Sequence, residues 1–394
     1  MEIFSERLVF LKITGIICEY NPLHLGHRKQ LTQVRKQLGA DSGIVCLMSG
    51  NFVQRGAPAI VDKMLRAKAA VLCGADLVLE LPVTAALSSA EGFAAGSVSI
   101  LSAFCDALCF GAETADKASL LSAAEALLCP AFSSALRAEL EKGLSFPAAR
   151  QIALTTLGID STLLTQPNNI LAVEYCKAIL SQGSNMAVLP ILRRGSYHDT
   201  EADPENPSAT ALRHLMQGSS WKSFVPEEAV PCFENTTLHT LAAGERAILG
   251  KLRCMTNAEF EALPYGSEGL WRKLMHECRR QATLEDILTA VKSKRYTRTR
   301  LDRMVMCAFL GITEAMLLEK PPYVRVLALN GRGREILKKA RESGHFPNIG
   351  EHQDSPWQTL ENRCGDLYGL FAEGTPEPAS TEAGKRLFYY QSNL

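Results

Sequence analysis

Residues 13–27 read Ile13-Thr14-Gly15-Ile16-Ile17-Cys18-Glu19-Tyr20-Asn21-Pro22-Leu23-His24-Leu25-Gly26-His27. The first six form a short apolar run with the length of a strand. From Gly26 to about Leu38 the pattern is amphipathic and predicts a helix, closed by Gly39. Two histidines three apart therefore sit where a strand hands over to a helix. A helix N-terminus offers free N–H groups and a partial positive charge, which favour an anion and disfavour an imidazolium. Neutral, hydrogen-bond-donating histidines are the expectation, with Gly26 letting a ligand approach the backbone. A metal site is the weaker alternative, because no third ligand lies nearby. A packing role is the remaining one.

Outward from this unit, strands and helices alternate. Gly43–Met48 and Ala75–Leu81 are apolar runs, with a helix over Asp62–Cys73 between them stopped by Gly74. A helix over 85–103, a strand over Asp106–Phe110 and a helix near 115–128 follow. After an insertion near 130–165 come a helix over Asn168–Leu180, a strand over Ala187–Leu192 and a short helix from Pro207-Ser208. Such alternation implies an α/β fold with a parallel sheet, whose ligands bind at the carboxyl ends of the strands. The character shifts near 218. Beyond it Pro226, Pro231 and Pro264 separate mainly helical segments, with one strand over Tyr323–Leu329, a helix over 334–342 and an acidic stretch at 351–381. Two domains are expected, 1–218 and 219–394.

Composition narrows the class. The 394 residues are 46% apolar and 21% charged, an ordinary globular balance. With 42 basic and 42 acidic residues, net charge says nothing about an anionic partner, so only local clusters can. Twelve scattered cysteines, several inside apolar runs and none in a C-x-x-C pair, point to reduced thiols in a cytoplasmic protein rather than a disulfide framework. The first dozen residues lack the apolar core of a signal peptide, and no run is long enough to span a membrane.

Pro207-Ser208-Ala209-Thr210-Ala211-Leu212-Arg213 follows the last strand of the first domain. Ser208 or Thr210 can cap the helix and Arg213 lies on its first turns, a second anion-binding element. A simple cap with a solvent-facing arginine is the alternative reading. Met48-Ser49-Gly50-Asn51-Phe52-Val53-Gln54-Arg55-Gly56 follows the second strand, where two glycines give backbone access and Asn51, Gln54 and Arg55 can orient a carboxylate or phosphates.

H-x-G-H paired with a Ser/Thr-rich segment ending in arginine resembles the H-x-G-H nucleotidyltransferase superfamily. EYNPLHLGH, MSGNFVQRGAPAIVDK, GADLVLELP, FGAE and QPNNILAVEY look more narrowly like the tRNA(Met) cytidine acetate ligase family. The resemblance is close over 13–215. It implies a Rossmann-like sheet of the nucleotidyltransferase type, with a mostly helical C-terminal region. It also implies an activity: ATP and acetate form acetyl-adenylate, and the acetyl group passes to N4 of the wobble cytidine of elongator tRNA(Met). Mg²⁺ accompanies the nucleotide. The implied ATP site comprises Ile17, Cys18, Glu19, Tyr20, Asn21, Pro22, Leu23, His24, Leu25, Gly26 and His27. Gly111, Ser208, one of Asn168 and Asn169, and one of Arg193 and Arg194 complete it. His24, His27 and Arg213 would stabilise charge on the phosphoryl oxygens electrostatically. No nucleophile–base pair suggests a covalent enzyme intermediate.

An RNA substrate needs a basic surface. Residues 271–303 hold ten Lys/Arg against four Asp/Glu, a local charge of +6. Lys292, Lys294, Arg295, Arg298 and Arg300, with Tyr296 among them, can follow a phosphate backbone and stack an unpaired base. A solvated helix face is the plain alternative. The main functional rival is a small-molecule adenylyltransferase of coenzyme A or NAD metabolism, which has no need of this basic segment.

Overall fold

A computed structural model of the chain describes residues 12–193, 208–319, 324–343, 355–379 and 382–391. Seven strands form one sheet: β1 (Ile13–Cys18), β2 (Gly43–Ser49), β5 (Leu77–Leu81), β6 (Ala107–Ala112), β7 (Ala187–Leu192), β8 (Val326–Asn330) and β9 (Phe388–Tyr390). Their order is β7-β6-β1-β2-β5-β8-β9, and the two remaining strands, β3 (Phe52–Val53) and β4 (Ala57–Pro58), make a small separate hairpin. The first five strands of that order are mutually parallel. Helices cover both faces, so β2 and β5 are buried along their whole length, which accounts for their unbroken apolar runs.

The chain leaves β1 toward β2 and β5, then returns to the other side of β1 for β6 and β7. That reversal opens a crevice at the carboxyl ends of β1 and β6, the place where parallel sheets of this kind receive ligands. Helix α1 (Leu25–Leu38) starts at the crevice, and α2 (Lys63–Leu72) runs behind it.

Local chemistry sets the remaining boundaries. The helix expected over 85–103 is broken into Val83–Ala86 and Ala90–Leu101. Ser89 turns its hydroxyl to the N–H of Gly92 and caps the second piece, which is what serine does better than continuing a helix. The insertion folds as two helices, Pro130–Glu141 and Phe146–Thr156, each with proline in its first turn.

Beyond 218 most described segments are helical, as expected, but the sheet does not end there. β8 adds antiparallel to β5, and β9 adds parallel to β8. The second half thus completes the sheet of the first, across the division expected at 218/219. The exchange also runs the other way. Phe52 of the hairpin and Val83 and Leu87 enter the apolar core built by Ile248, Leu274, Met304 and Phe371. Gly56 sits at positive φ, and a Cβ there would lie 2.5 Å from the backbone N of Arg303. Gly50 is equally committed, since its Cβ would meet Glu80 Oε1 at 2.4 Å. Both glycines of the SGNFVQRG segment therefore serve close packing, a correction to the ligand access expected of them.

The two halves are also tied by buried charge. Lys63 on α2 contacts Glu80 Oε1 at 2.6 Å and also pairs with Glu382. Arg325 pairs with Glu382, and Lys385 reaches Asp62 at 2.7 Å. Three cations thus face Asp62, Glu80 and Glu382. Glu361, which accepts the Val83 N–H at 2.8 Å, is a fourth carboxyl in the same place. Burial, then the charge of Glu80, pushes it up to about 8. The unfolded chain releases this proton above its ordinary 4.5 while the folded chain keeps it. Stability is therefore lost as pH rises from 4.5 to 8, by up to about 1.4 kcal/mol per unit from this group. Glu361→Gln keeps the acceptor for Val83 and cannot ionise. Its melting temperature is expected to exceed the parent's at pH 8 and to converge with it at pH 5. An equal difference at both pH values would contradict this.

Candidate functional site

The crevice at the ends of β1 and β6 is a cavity of about 730 Å³. The H-x-G-H segment forms one wall. His24 caps α1: its Nδ1 accepts the Gly26 N–H at 3.1 Å, and its own N–H donates to His27 Nδ1 at 3.3 Å. With both Nδ1 atoms accepting, each neutral ring carries its proton on Nε2. The two rings stack with centroids 3.7 Å apart, and Tyr20 meets His27 edge-on. His24 is 2% exposed, yet its Nε2 has no partner among the described residues. A buried donor left unmade is costly, and an arriving anion would satisfy it. Burial, followed by the charge of Arg193, lowers His24 to about 3. Burial, with His24 and Arg193 behind it, also pushes His27 well below its ordinary value.

The loop that delivers the histidines is fixed from several sides. Tyr20 holds a left-handed φ of 45°, its hydroxyl 3.4 Å from Cys46 Sγ. Asn21 Oδ1 accepts the Ile60 N–H at 2.7 Å. Arg213 donates to Asn21 O and to Thr210 Oγ1, both at 3.0 Å. Ser208 caps helix Ala209–Leu215, its hydroxyl accepting the Ala211 N–H at 3.0 Å. The structure therefore divides two roles that the sequence left open: Ser208 caps and Thr210 holds the arginine.

Lys29, Arg55, Arg193 and Arg213 bring positive charge to the wall, against one carboxylate, Glu19, among the described residues. Glu19 Oε1 accepts the Gln54 N–H at 2.9 Å and so sets the hairpin tip that carries Gln54 and Arg55. The lining also has an apolar part, made by Phe93, Phe110, Leu171 and Tyr175, and it includes Gly111 and Asn168. A Cβ on Gly111 would meet only the Arg193 side chain at 3.8 Å, so the protein itself does not demand glycine there. A small, positively charged cavity with fixed N–H donors at a helix start suits a nucleotide's phosphates.

Residues 11–382 match the family model described as HIGH Nucleotidyl Transferase. The tRNA(Met) cytidine acetate ligase of Clostridium novyi is 38% identical, over 86% of this chain and 89% of that protein. The protein of the same name from Alkaliphilus metalliredigens is 37% identical over 98% of this chain and its own full length. This chain belongs to the tRNA(Met) cytidine acetate ligase family. Among solved structures, apo Thermotoga maritima TmcAL superposes with a TM-score of 0.89 at 29% identity, covering 97% of this chain and all of that one. The form bound with alpha-thio ATP superposes with a TM-score of 0.86 at 28% identity over the same shares.

Ile17, Cys18, Glu19, Tyr20, Asn21, His24, Gly26, His27, Gln54, Arg55, Gly111, Asn168, Arg193, Ser208 and Arg213 all line the cavity. Pro22, Leu23 and Leu25 are not on its wall; Leu23 is core. Asn51 lies elsewhere, donating to Asp62 and accepting the Lys63 N–H at 2.8 Å as part of the α2 start. Asn169 is buried, with Oδ1 accepting the Thr114 N–H at 2.9 Å. Of the two pairs left open, Asn168 and Arg193 line the cavity; Arg194 falls outside the described residues. Lys29, Gln30 and Gln33 were missed, although Gly26, Gln30 and Gln33 lie one turn apart on α1 and the helix period alone would have aligned them. The apolar part of the lining was missed because its residues come from three separate elements.

The basic segment is partly spoken for. Arg295 pairs with Glu268 at 2.6 Å, Arg298 with Glu285 and Asp302, and Arg300 donates to Tyr265 O and Ser267 Oγ. Lys292 and Lys294 are exposed, as are Arg272, Arg279 and Arg280 on helix Leu270–Arg280. Among the described residues no single helix is long and apolar enough to cross a membrane.

The burial of His24 has a measurable consequence. Below pH 6.5 the unfolded chain takes up a proton that the folded chain refuses down to about 3. Stability from this group is present above 6.5 and is lost as pH falls, by up to about 1.4 kcal/mol per unit. His24→Asn retains an oxygen to accept the Gly26 N–H but does not titrate. Urea melts from pH 6.5 to 5 should show a shallower loss of stability in this variant, and an unchanged slope would refute the assignment.

Proposed function

We propose that this chain is an ATP-dependent ligase that makes acetyl-adenylate from ATP and acetate and acetylates N4 of the wobble cytidine of elongator tRNA(Met). The observation that carries the reading is the buried Nε2 of His24, unpartnered among the described residues, on the wall of a cationic cavity. In the first step an acetate oxygen attacks the α-phosphorus and the bond to the β-phosphate breaks, releasing pyrophosphate. Negative charge grows on the phosphoryl oxygens. His24 and His27 meet it with Nε2–H donors, and Arg213 with its guanidinium. Because both imidazoles are neutral, they supply hydrogen bonds without changing charge as pH varies near neutrality. In the second step the cytidine amine attacks the acetyl carbonyl, AMP leaves, and the amine loses a proton. Positioning can suffice, since the mixed anhydride is already activated.

Gln54 and Arg55 are proposed to orient the acetate, because the Glu19 contact holds their hairpin tip against the cavity. Magnesium is proposed only as the nucleotide's counter-ion. Among the described residues no group of three His, Cys, Asp or Glu side chains could hold a metal. Glu19, the carboxylate on the cavity wall among the described residues, would be the protein ligand for a Mg²⁺ arriving with the nucleotide. The tRNA is proposed to lie along the exposed cations after residue 270. Arg295, Arg298 and Arg300 keep a share of that role despite their internal partners, while Lys292 and Lys294 present charge to solvent. A cytoplasmic location follows from the proposed substrate.

Labelled acetate with ATP, with and without total tRNA, tests the scheme. Acetyl-AMP is expected without tRNA, and labelled tRNA with it. Absence of acetate-dependent AMP formation would sink the ligase reading, and adenylylation of a mononucleotide or phosphopantetheine would favour the rival. His27→Ala should cut acetyl-AMP formation by about a hundredfold or more. The double change Lys292→Glu, Lys294→Glu should weaken tRNA labelling and flatten its salt dependence, leaving acetyl-AMP formation intact. A loss of both steps in the lysine variant would break this division of labour.

A further inference from the structure

FGAE ends in Glu113, which lies just past β6 and is not on the cavity wall. Its carboxylate gathers three donors from the start of helix Pro167–Ser181. Oε1 accepts the Asn168 side-chain Nδ2–H at 2.6 Å and the Asn168 N–H at 3.3 Å. Oε2 accepts the Asn169 N–H at 2.8 Å. That helix has no capping side chain of its own, because Gln166 occupies the N-cap without making a cap bond. Glu113 supplies the cap from 55 and 56 residues away.

Capping alone needs only the two backbone contacts. The third has a different effect. A carboxylate offers no donor, so Asn168 must turn its amide nitrogen toward Glu113 and its Oδ1 the other way. Oδ1 then accepts from Arg193 Nη1 at 3.3 Å, and both Asn168 and Arg193 line the cavity. We infer that Glu113 is a positioning residue for nucleotide binding: it fixes the polarity of the Asn168 amide, so that an acceptor faces Arg193 and the cavity. This rests on the reading of the cavity as the ATP site.

The inference makes an isosteric change informative. Glu113→Gln keeps an oxygen for the Asn169 N–H, the shorter of the two backbone cap bonds, and gives up only the 3.3 Å contact with the Asn168 N–H. The Gln amide nitrogen then faces the Asn168 amide nitrogen, donor against donor. Asn168 is forced to rotate, which sets its N–H groups against the Arg193 guanidinium. Asn168→Asp alone puts two carboxylates face to face. The double change Glu113→Gln, Asn168→Asp restores complementarity, because the Gln amide donates to one aspartate oxygen and the other oxygen again faces Arg193.

The test is acetate-dependent pyrophosphate–ATP exchange with the full chain, reading KM for ATP and kcat separately, with thermal melting in parallel. Glu113→Gln is expected to raise KM for ATP by about tenfold, with kcat changed much less and melting close to the parent. The double variant is expected to regain most of that loss and to exceed both single variants. An unchanged KM in Glu113→Gln overturns the inference. A double variant no better than the poorer single also overturns it, leaving Glu113 as a helix cap. Parent protein that shows no exchange refutes the ATP-site reading itself, an outcome separate from both.

Discussion

One fully buried guanidinium holds the functional end of the sheet together. Arg66 on α2 donates to four backbone carbonyls and, among the described residues, to no carboxylate: Nε to Val61 O at 2.8 Å, Nη1 to Glu19 O and Ser49 O, and Nη2 to Gly50 O. Those carbonyls lie just beyond β1, at the end of β2, and before α2. A guanidinium can do this because its five donors spread in a plane, and because carbonyl dipoles can replace water around a charge. Burial still tells, pushing Arg66 below its ordinary value. The loop bearing Glu19 and Tyr20, which leads into the histidines, is thereby locked to the segment that leads to Gln54 and Arg55.

The same helix faces a second task one turn earlier. Lys63 looks toward Glu80 and Glu382, three positions before Arg66 looks toward the loops. Buried ion pairs of this sort are poor sources of net stability, but removing one partner leaves a charge stranded. Their value here is register: they fix where the late segment carrying β9 lies against α2. Displacing that segment would take one of the two carboxylates from Lys63, one turn from the clamp that shapes the cavity wall.

Much of this was legible in the sequence, for reasons that differ by level. β1 and β7 have the ends that the apolar runs predict, and β2 extends one residue further; in β2 the run is unbroken because a parallel strand covered on both faces leaves no room for polar interruptions. The H-x-G-H segment and Arg213 converge on one cavity as their chemistry suggested. What stayed hidden was long-range polarity. Nothing local marks Arg66 as a carbonyl clamp, since an arginine in MLRAKAA reads as an ordinary exposed helix residue. The acidic residues after 351 carry no periodic signal, yet Glu361 is a buried acceptor for Val83 and Glu382 a counter-ion in the interior. Asn51 read as a substrate contact because asparagine in a glycine-flanked loop is equally suited to capping the next helix.

The antiparallel closure by β8 and β9 has a consequence for how the protein comes into being. The segment from β1 to β7 emerges from the ribosome first and contains every expected nucleotide contact except Arg193, Arg194 and those near Ser208. Yet β5 remains an open edge, and Lys63 lacks one of its carboxylates, until residues 326–330 and 382–390 have been translated. An unpaired β5 edge is an invitation to pair with the wrong chain. Contacts of such high sequence separation also form slowly. The nascent enzyme thus passes through a stage in which its catalytic half is synthesised but unsealed, and its dependence on chaperones should be concentrated in that interval.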